Sequence, residues 1–235
     1  MESIVTTLDT ENVSFEIYIA FENSSGHEGF LTGFGLSFLI FNRFTENYLL
    51  FDTGSDGKIL SHNIEQFDVD YSEISKIVIS HNHAEHSGGL KSIYEKNSEI
   101  EIYVPVENLN VYRRTYPEAT VVGVSEFKEI DTNIYTTGQL GNYLKEQALF
   151  LRNFNDDLMV LVGCSHPGLD EIITMARSLG KVKAVLGGFH NFRNFICLEG
   201  IEFIGPCHCT QHLNLIKERF PGQYNEIIVG NALPF

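Results

Sequence analysis

The run His81-Asn82-His83-Ala84-Glu85-His86 places three imidazoles and a carboxylate within six residues. Imidazole is the commonest protein ligand for zinc and also suits iron, and a carboxylate adds a harder oxygen donor. The run therefore reads as a large part of a metal site. A cation held by few protein groups keeps a position open for water or substrate and lowers the pKa of water toward neutrality. Further ligands must come from elsewhere. Three segments offer them: Gly163-Cys164-Ser165-His166-Pro167-Gly168, Gly187-Gly188-Phe189-His190 and Pro206-Cys207-His208-Cys209-Thr210. Each puts a histidine just past an apolar run. His27, His62 and His212 lack that setting and read as surface or helix residues, although His27 adjoins the Glu22–Gly26 loop, which could fold over a site.

Such side chains converge only if the backbone holds them. The histidine run follows Lys76-Ile77-Val78-Ile79-Ser80, which reads as a buried strand, and precedes Ser87-Gly88-Gly89-Leu90, which reads as a helix start. A loop anchored by sheet on one side and helix on the other orders its side chains at little additional entropic cost. Strand character recurs at Val13–Phe21, Gly35–Phe41, Tyr48–Phe51, Leu158–Gly163, Val182–Leu186, Ile201–Ile204 and Glu226–Val229. Helical spacing marks Ser55–Phe67, Ser87–Asn97, Leu169–Leu179 and His212–Phe220, with Asp56 and Ser87 near helix starts. Between Ile100 and Asn153 the pattern is weaker, with short strands around a helical or loop piece at Glu107–Tyr116. Strands and helices mixed in both halves suit an α/β (α+β) chain in which two sheets pack face to face under outer helices, a four-layer αββα sandwich.

The chain has 235 residues, 43% of them hydrophobic, enough for one sizeable core, and no linker or repeat divides it, so one domain over residues 1–235 is expected. A net charge of −15 argues against binding nucleic acid or an anionic membrane through a basic surface. The longest apolar runs fall far short of the roughly 20 residues of a membrane-spanning helix. Met1-Glu2-Ser3-Ile4 opens without the basic and apolar regions of a secretory signal, so a cytoplasmic protein is expected. Four cysteines, all beyond residue 163, do not form a disulfide framework. Cys164 and Cys197 read as small core hydrophobes. Cys207 and Cys209 lack the Cys-x-x-Cys spacing of a structural zinc site.

In chain order, these motifs resemble the metallo-β-lactamase superfamily. Its signature is His-x-His-x-Asp-His after a strand, preceded by an Asp-Thr-Gly turn that here reads Phe51-Asp52-Thr53-Gly54. More narrowly, Gly35–Ile40, that turn, Ser80–Leu90 and the three later histidine segments are similar to the subfamily of the dihydropterin-linked ribofuranosylaminobenzene 5′-phosphate synthases and related hydrolases. The resemblance implies the αββα fold and a metal centre at the edge between the sheets. It implies His81, His83 and His166 on a first metal and Glu85, His86 and His208 on a second. Asp52 and His190 would serve catalysis, Asp52 by accepting the free ring N–H of a ligand histidine and His190 as acid or orienting group. Glu85 stands where the superfamily has Asp, which moves the carboxylate by about 1.5 Å. The position of a bridging aspartate falls on Gly187–His190. The stretch from His190 to Cys207 is shorter than in the subfamily, and Gln211 replaces a glycine, so the pocket rim should differ.

The expected activity is that of a metal-dependent hydrolase or transferase acting on a phosphoester, pyrophosphate or related small molecule, pterin-related on the resemblance. Its cofactor would be a divalent metal, one or two zinc ions, with manganese or iron as substitutes. Thr210, near the start of a helix, would offer its hydroxyl and adjacent N–H groups to a phosphate, a role compatible with capping that helix. Phe189, Phe192 and Phe195 read first as core and second as an aromatic wall. Two other classes remain open: an iron-dependent redox enzyme on the same fold, marked by its metal, and a non-catalytic binding protein, marked by ligand retention without turnover.

Overall fold

The computed structural model describes residues 13–235; Met1–Ile4, where no secretory signal is expected, lie outside that range. Strands β1 (Phe15–Phe21), β2 (Ser37–Asn42), β3 (Asn47–Phe51), β4 (Ile74–Val78), β5 (Glu101–Pro105) and β6 (Thr120–Val124) form one sheet in chain order. The other sheet runs β7 (Lys128–Asp131), β8 (Ile134–Thr136), β9 (Leu149–Arg152), β10 (Asp157–Val162), β11 (Lys181–Gly188) and β12 (Phe203–Cys207), also in chain order. A last strand, β13 (Ala232–Pro234), returns to pair antiparallel with β1.

Side chains alternate along each strand, and here both alternations are apolar. Phe38, Ile40, Leu49 and Phe51 point between the sheets, where they meet Leu149, Leu151, Met159, Leu161 and Leu186 from the other side. Leu39 and Leu50 point outward into an apolar layer with Leu60 and Ile64 of α1 (Gly57–Gln66), Leu90 and Ile93 of α3 (Leu90–Tyr94) and Tyr112 of α4 (Leu109–Thr115). Val160 and Val162 point outward from the second sheet under Ile172, Ile173 and Ala176 of α5 (Leu169–Leu179) and Ile216 of α6 (Leu213–Arg219). Two internally apolar sheets, each with helices outside, make the four-layer αββα arrangement expected from the sequence. Phe189 is core, and Phe192 and Phe195 pack against that same outer layer, as their first reading has it. Among the described residues no helix is long and apolar enough to cross a membrane.

Local expectations hold at α5, and at α1, where the Asp56 carboxylate accepts from Lys58 N at the N-cap. Two do not. The helix expected from Ser87 starts earlier, as α2 (Ala84–Ser87), and breaks at Gly88-Gly89 before α3. A Cβ at Gly89 would lie 2.1 Å from the Thr53 carbonyl oxygen, so this pair permits close packing on the Asp-Thr-Gly turn. Glu226–Val229 forms no ladder; the terminal strand is β13, because pairing with β1 decides it rather than β-branched composition.

Strands β3, β4 and β5 run parallel, as do β10, β11 and β12. The carboxyl ends of β1, β3, β4, β10, β11 and β12 deliver the loops that carry the chemistry.

Candidate metal centre

Asp52 follows β3, is fully buried and has a left-handed backbone φ of 61°. Ser165, His190 and His208, each just past another strand end, share that conformation with φ of 60°, 43° and 50°. Non-glycine residues adopt it at a cost of about 1–3 kcal/mol unless surrounding structure enforces it, and such strain collects at functional sites. Three hydrogen bonds hold the Asp52 carboxylate: from Ser80 N at 2.6 Å, Ser80 Oγ at 2.7 Å and His86 Nδ1 at 2.7 Å. The His81 Nδ1–H donates in turn to Ser80 Oγ at 2.9 Å. With both Nδ1 atoms protonated, the Nε2 lone pairs of His81 and His86 are left for a cation.

His208 is oriented the same way from the opposite rim. Its Nδ1–H donates to Asn23 Oδ1 at 3.0 Å, and its backbone N donates to the buried Glu22 carboxylate at 2.8 Å. Its Nε2 is buried with no hydrogen-bond partner, as are His166 Nε2 and His190 Nδ1. Unpaired buried polar atoms are rare and call for an explanation, and a cation supplies one.

The loop after β10 is held by a residue with no motif of its own. Glu146, buried to 1% exposure, accepts from the backbone N–H groups of Cys164 (2.8 Å), Ser165 (2.9 Å) and His166 (2.8 Å). Burial raises its pKa against the lowering pull of those three donors. So anchored, His166 stands with its ring centroid 4.9 Å from that of His81 and 5.0 Å from that of His190. The His86 and His208 rings are also 4.9 Å apart.

Two donor sets emerge. Ligand atoms of His81, Cys164 and His166 lie within 4.8 Å of one another, and so do those of His86, Cys164 and His208. Two ligands of one tetrahedral zinc lie about 3.3–3.8 Å apart, given bonds of about 2.0–2.3 Å. His81 Nε2 and His83 Nδ1 are 3.1 Å apart, and His86 Nε2 and Cys164 Sγ 3.2 Å, close to that spacing. Donor types and geometry thus fit divalent cations.

Electrostatics points the same way. Burial, reinforced by the neighbouring imidazoles, holds His81 far below the ordinary histidine range and lowers His166 to about 4 and His208 to about 3. They are therefore neutral at pH 7, as ligation requires. Burial opposes charge on His86 too, but the Asp52 carboxylate outweighs it and raises the pKa. A hydrogen bond to Cys209, with burial, raises the Cys164 pKa; the same bond lowers that of Cys209.

The structure thus gathers His81, His83, His86, His166, His190 and His208 at one sheet edge. Asp52 lies behind them, where it touches His86 and Ser80 and is closed to solvent, so it positions a ring rather than meeting a substrate. Neither Glu85 nor His83 joins the two donor sets: Glu85 Oε1 lies 3.7 Å from His83 Nδ1, and that nitrogen lies 3.1 Å from His81 Nε2. Thr210 is also not free for a phosphate. Its hydroxyl donates to Cys207 O at 2.7 Å and accepts from Phe189 N at 3.0 Å, tying two strand ends together, while α6 starts only at Leu213. His27 is exposed, His62 is half-buried with its Nε2 2.8 Å from Gly29 O, and His212 lies against Asn191 and Arg193.

Sequence reasoning passed over Cys164, Glu146 and Asn23. Cys164 had a signal in its place two residues before His166; Asn23 lies in the Glu22–Gly26 loop expected to reach a site, which does so through His208, whereas Glu146 acts on backbone N–H groups and leaves no signal. A cleft of about 320 Å³, lined by Gly141, Asn142, Tyr143, Leu144, His166, Pro167 and Glu171, opens beside the donors. Tyr143 is wholly exposed on its rim, and Phe34, 62% exposed, has its ring 5.3 Å from that of His208.

Comparison with known proteins agrees with this architecture. A family model described as anti-Pycsar protein Apyc1 matches residues 30–111. The chain is 26% identical, over 94% of its length and 97% of the relative's, to the 7,8-dihydropterin-6-methyl-4-(beta-D-ribofuranosyl)-aminobenzene-5'-phosphate synthase of Methanocaldococcus jannaschii. Among solved structures it matches Tm1679, a metal-dependent hydrolase of the beta-lactamase superfamily, with a TM-score of 0.79 at 24% identity, covering 93% of this chain and 98% of that one. It matches a diphosphatase from the PhnP family with a TM-score of 0.65 at 14% identity, covering 94% and 97%. The chain has the metallo-β-lactamase fold.

Proposed function

We propose that this metallo-β-lactamase-fold chain is a metal-dependent hydrolase or transferase acting on a small phosphorylated substrate through a phosphoester or pyrophosphate bond. The observation that carries the reading is the convergence of histidine Nε2 atoms, each with its Nδ1 tied back to Asp52, Ser80 or Asn23 or its Nε2 buried without a partner. In this reading His81, His83 and His166 hold one divalent cation and His86 and His208 contribute to a second, zinc being the first choice for such donors. A bound cation would acidify water and neutralise charge developing on phosphate oxygens.

The chain's own groups do the rest. Asp52 keeps the ring N–H of His86 engaged and, through Ser80, that of His81, so that both lone pairs face the site. His190, with Nδ1 unpaired and its ring beside His166, is placed to give a proton to a leaving oxygen or to orient it. With a net charge of −15, the protein offers an anion little positive surface, which leaves its recognition to the metal centre. The cleft beside His166 is large enough for a small molecule. Exposed Phe34 and Tyr143 suit a planar ring, and the relationship to a dihydropterin-linked synthase makes a pterin-like group the first to try.

The test is a screen of the zinc-, manganese- and iron-loaded protein for release of phosphate or pyrophosphate from monoesters, diesters and pyrophosphates, with lactones and carboxylic esters alongside. The proposal expects phosphoester or pyrophosphate turnover that His81→Ala abolishes. Turnover of lactones or esters alone would overturn it.

A further inference from the structure

We infer that Cys164, and not Glu85, completes the metal centre, its thiolate standing between the two histidine groups as their shared ligand. This rests on the proposal that the centre binds divalent cations. The geometry is specific to one atom: Cys164 Sγ belongs both to the set with His81 and His166 and to the set with His86 and His208. Its 3.2 Å separation from His86 Nε2 is near the ligand-to-ligand spacing within one coordination shell. The sulfur is also fixed in place, since Cys164 is 3% exposed and its backbone N–H is bonded to the buried Glu146 carboxylate. Glu85, by contrast, belongs to neither set, its Oε1 lying 3.7 Å from His83 Nδ1.

Charge supplies the second argument. Neutral imidazoles bring no negative charge, and two dications held side by side by imidazoles alone repel each other. A thiolate between them offsets that repulsion from the position where it acts on both. Sulfur also sets the cofactor class: a soft thiolate favours zinc or ferrous iron, whereas magnesium and manganese prefer all-oxygen sites. Ligation would displace the thiol proton, so occupancy should release acid to the medium.

Cobalt(II) is the probe, because a coordinated thiolate gives a near-ultraviolet thiolate-to-cobalt charge-transfer band that imidazole and carboxylate do not. The full-length metal-free chain, Cys164→Ser, Cys209→Ser and Glu85→Gln would each be titrated with cobalt and followed by absorbance and by bound metal. We expect the band in the parent, Cys209→Ser and Glu85→Gln proteins and its loss in Cys164→Ser, with the weaker of the two cobalt ions bound roughly tenfold or more less tightly. The Cys209→Ser protein carries the assignment if Cys164→Ser does not fold, since Cys207 packs between the sheets and Cys197 lies outside both donor sets. Cobalt bound without the band, the band lost in Cys209→Ser, or an ion lost in Glu85→Gln but not in Cys164→Ser would each overturn the inference while leaving a metal enzyme. No cobalt bound at all would overturn both.

Discussion

Removing the Glu146 carboxylate should loosen the loop that carries Cys164 and His166 while leaving the sheets in register. The carboxylate accepts three backbone N–H groups at 2.8–2.9 Å, two of them from fully buried residues. A buried donor left unpaired costs about 1–3 kcal/mol, so three would cost ~3–9 kcal/mol. Losing a buried carboxylate recovers part of its desolvation cost, which places Glu146→Ala near the bottom of that range, at ~3 kcal/mol. Against a typical stability of about 5–15 kcal/mol the variant still folds, with its urea midpoint lower by about 1 M. Glu146→Gln keeps one oxygen for the Cys164 and Ser165 bonds but turns an NH2 group toward His166 N, and should lose about 1–2 kcal/mol. The chain has no tryptophan, so far-ultraviolet circular dichroism follows unfolding. A Glu146→Ala stability within about 0.5 kcal/mol of the parent, the scale of an ordinary surface substitution, would refute the reasoning.

Other expectations follow from the same contacts. Asp52→Asn cannot accept from His86 Nδ1, Ser80 N and Ser80 Oγ together, so metal affinity should fall by about 10–100-fold in chelator competition; unchanged affinity would remove Asp52 from the account. In the metal-free protein His166 and His208 stay neutral down to about 4 and 3, whereas unfolded histidines take up protons from about 6.5. The unfolded state then binds more protons below about 6.5, so its melting temperature should fall as pH drops toward about 4; a flat or rising profile contradicts this. Phe34→Ala and Tyr143→Ala should raise KM for a planar substrate with kcat kept, since the exposed Tyr143 lines the cleft and the exposed Phe34 lies beside the His208 ring, neither being among the donors; a loss confined to kcat would place them in the chemistry instead.

How far this site was legible depended on what each residue does. The clustered histidines sit just past strands with a strong apolar signal, so His81, His83, His86, His166, His190 and His208 could be found by position, and the structure brings them together. Thr210 carried the right chemistry in the right place, but its hydroxyl is taken up by the bonds that close the β11 and β12 ends, and Glu85 stays beside His83, outside both donor sets. Cys164 packs and ligates equally well, so its type decides nothing. Glu146 lies in the weakly patterned middle of the chain and Asn23 in a loop; their roles are set by contacts across 18 and 185 residues of sequence, which no local spacing records. The four-layer fold was readable because both alternating faces of the strands are apolar. Strand β13 was not, since its pairing partner β1 lies at the far end of the chain.

The central claim is that these histidines hold metal, and elemental analysis of protein purified without added metal tests it most directly. The two donor sets predict about two zinc or iron ions per chain, reduced in His81→Ala and in His208→Ala. A protein that carries no divalent metal, and takes none up when zinc is supplied, would contradict the account.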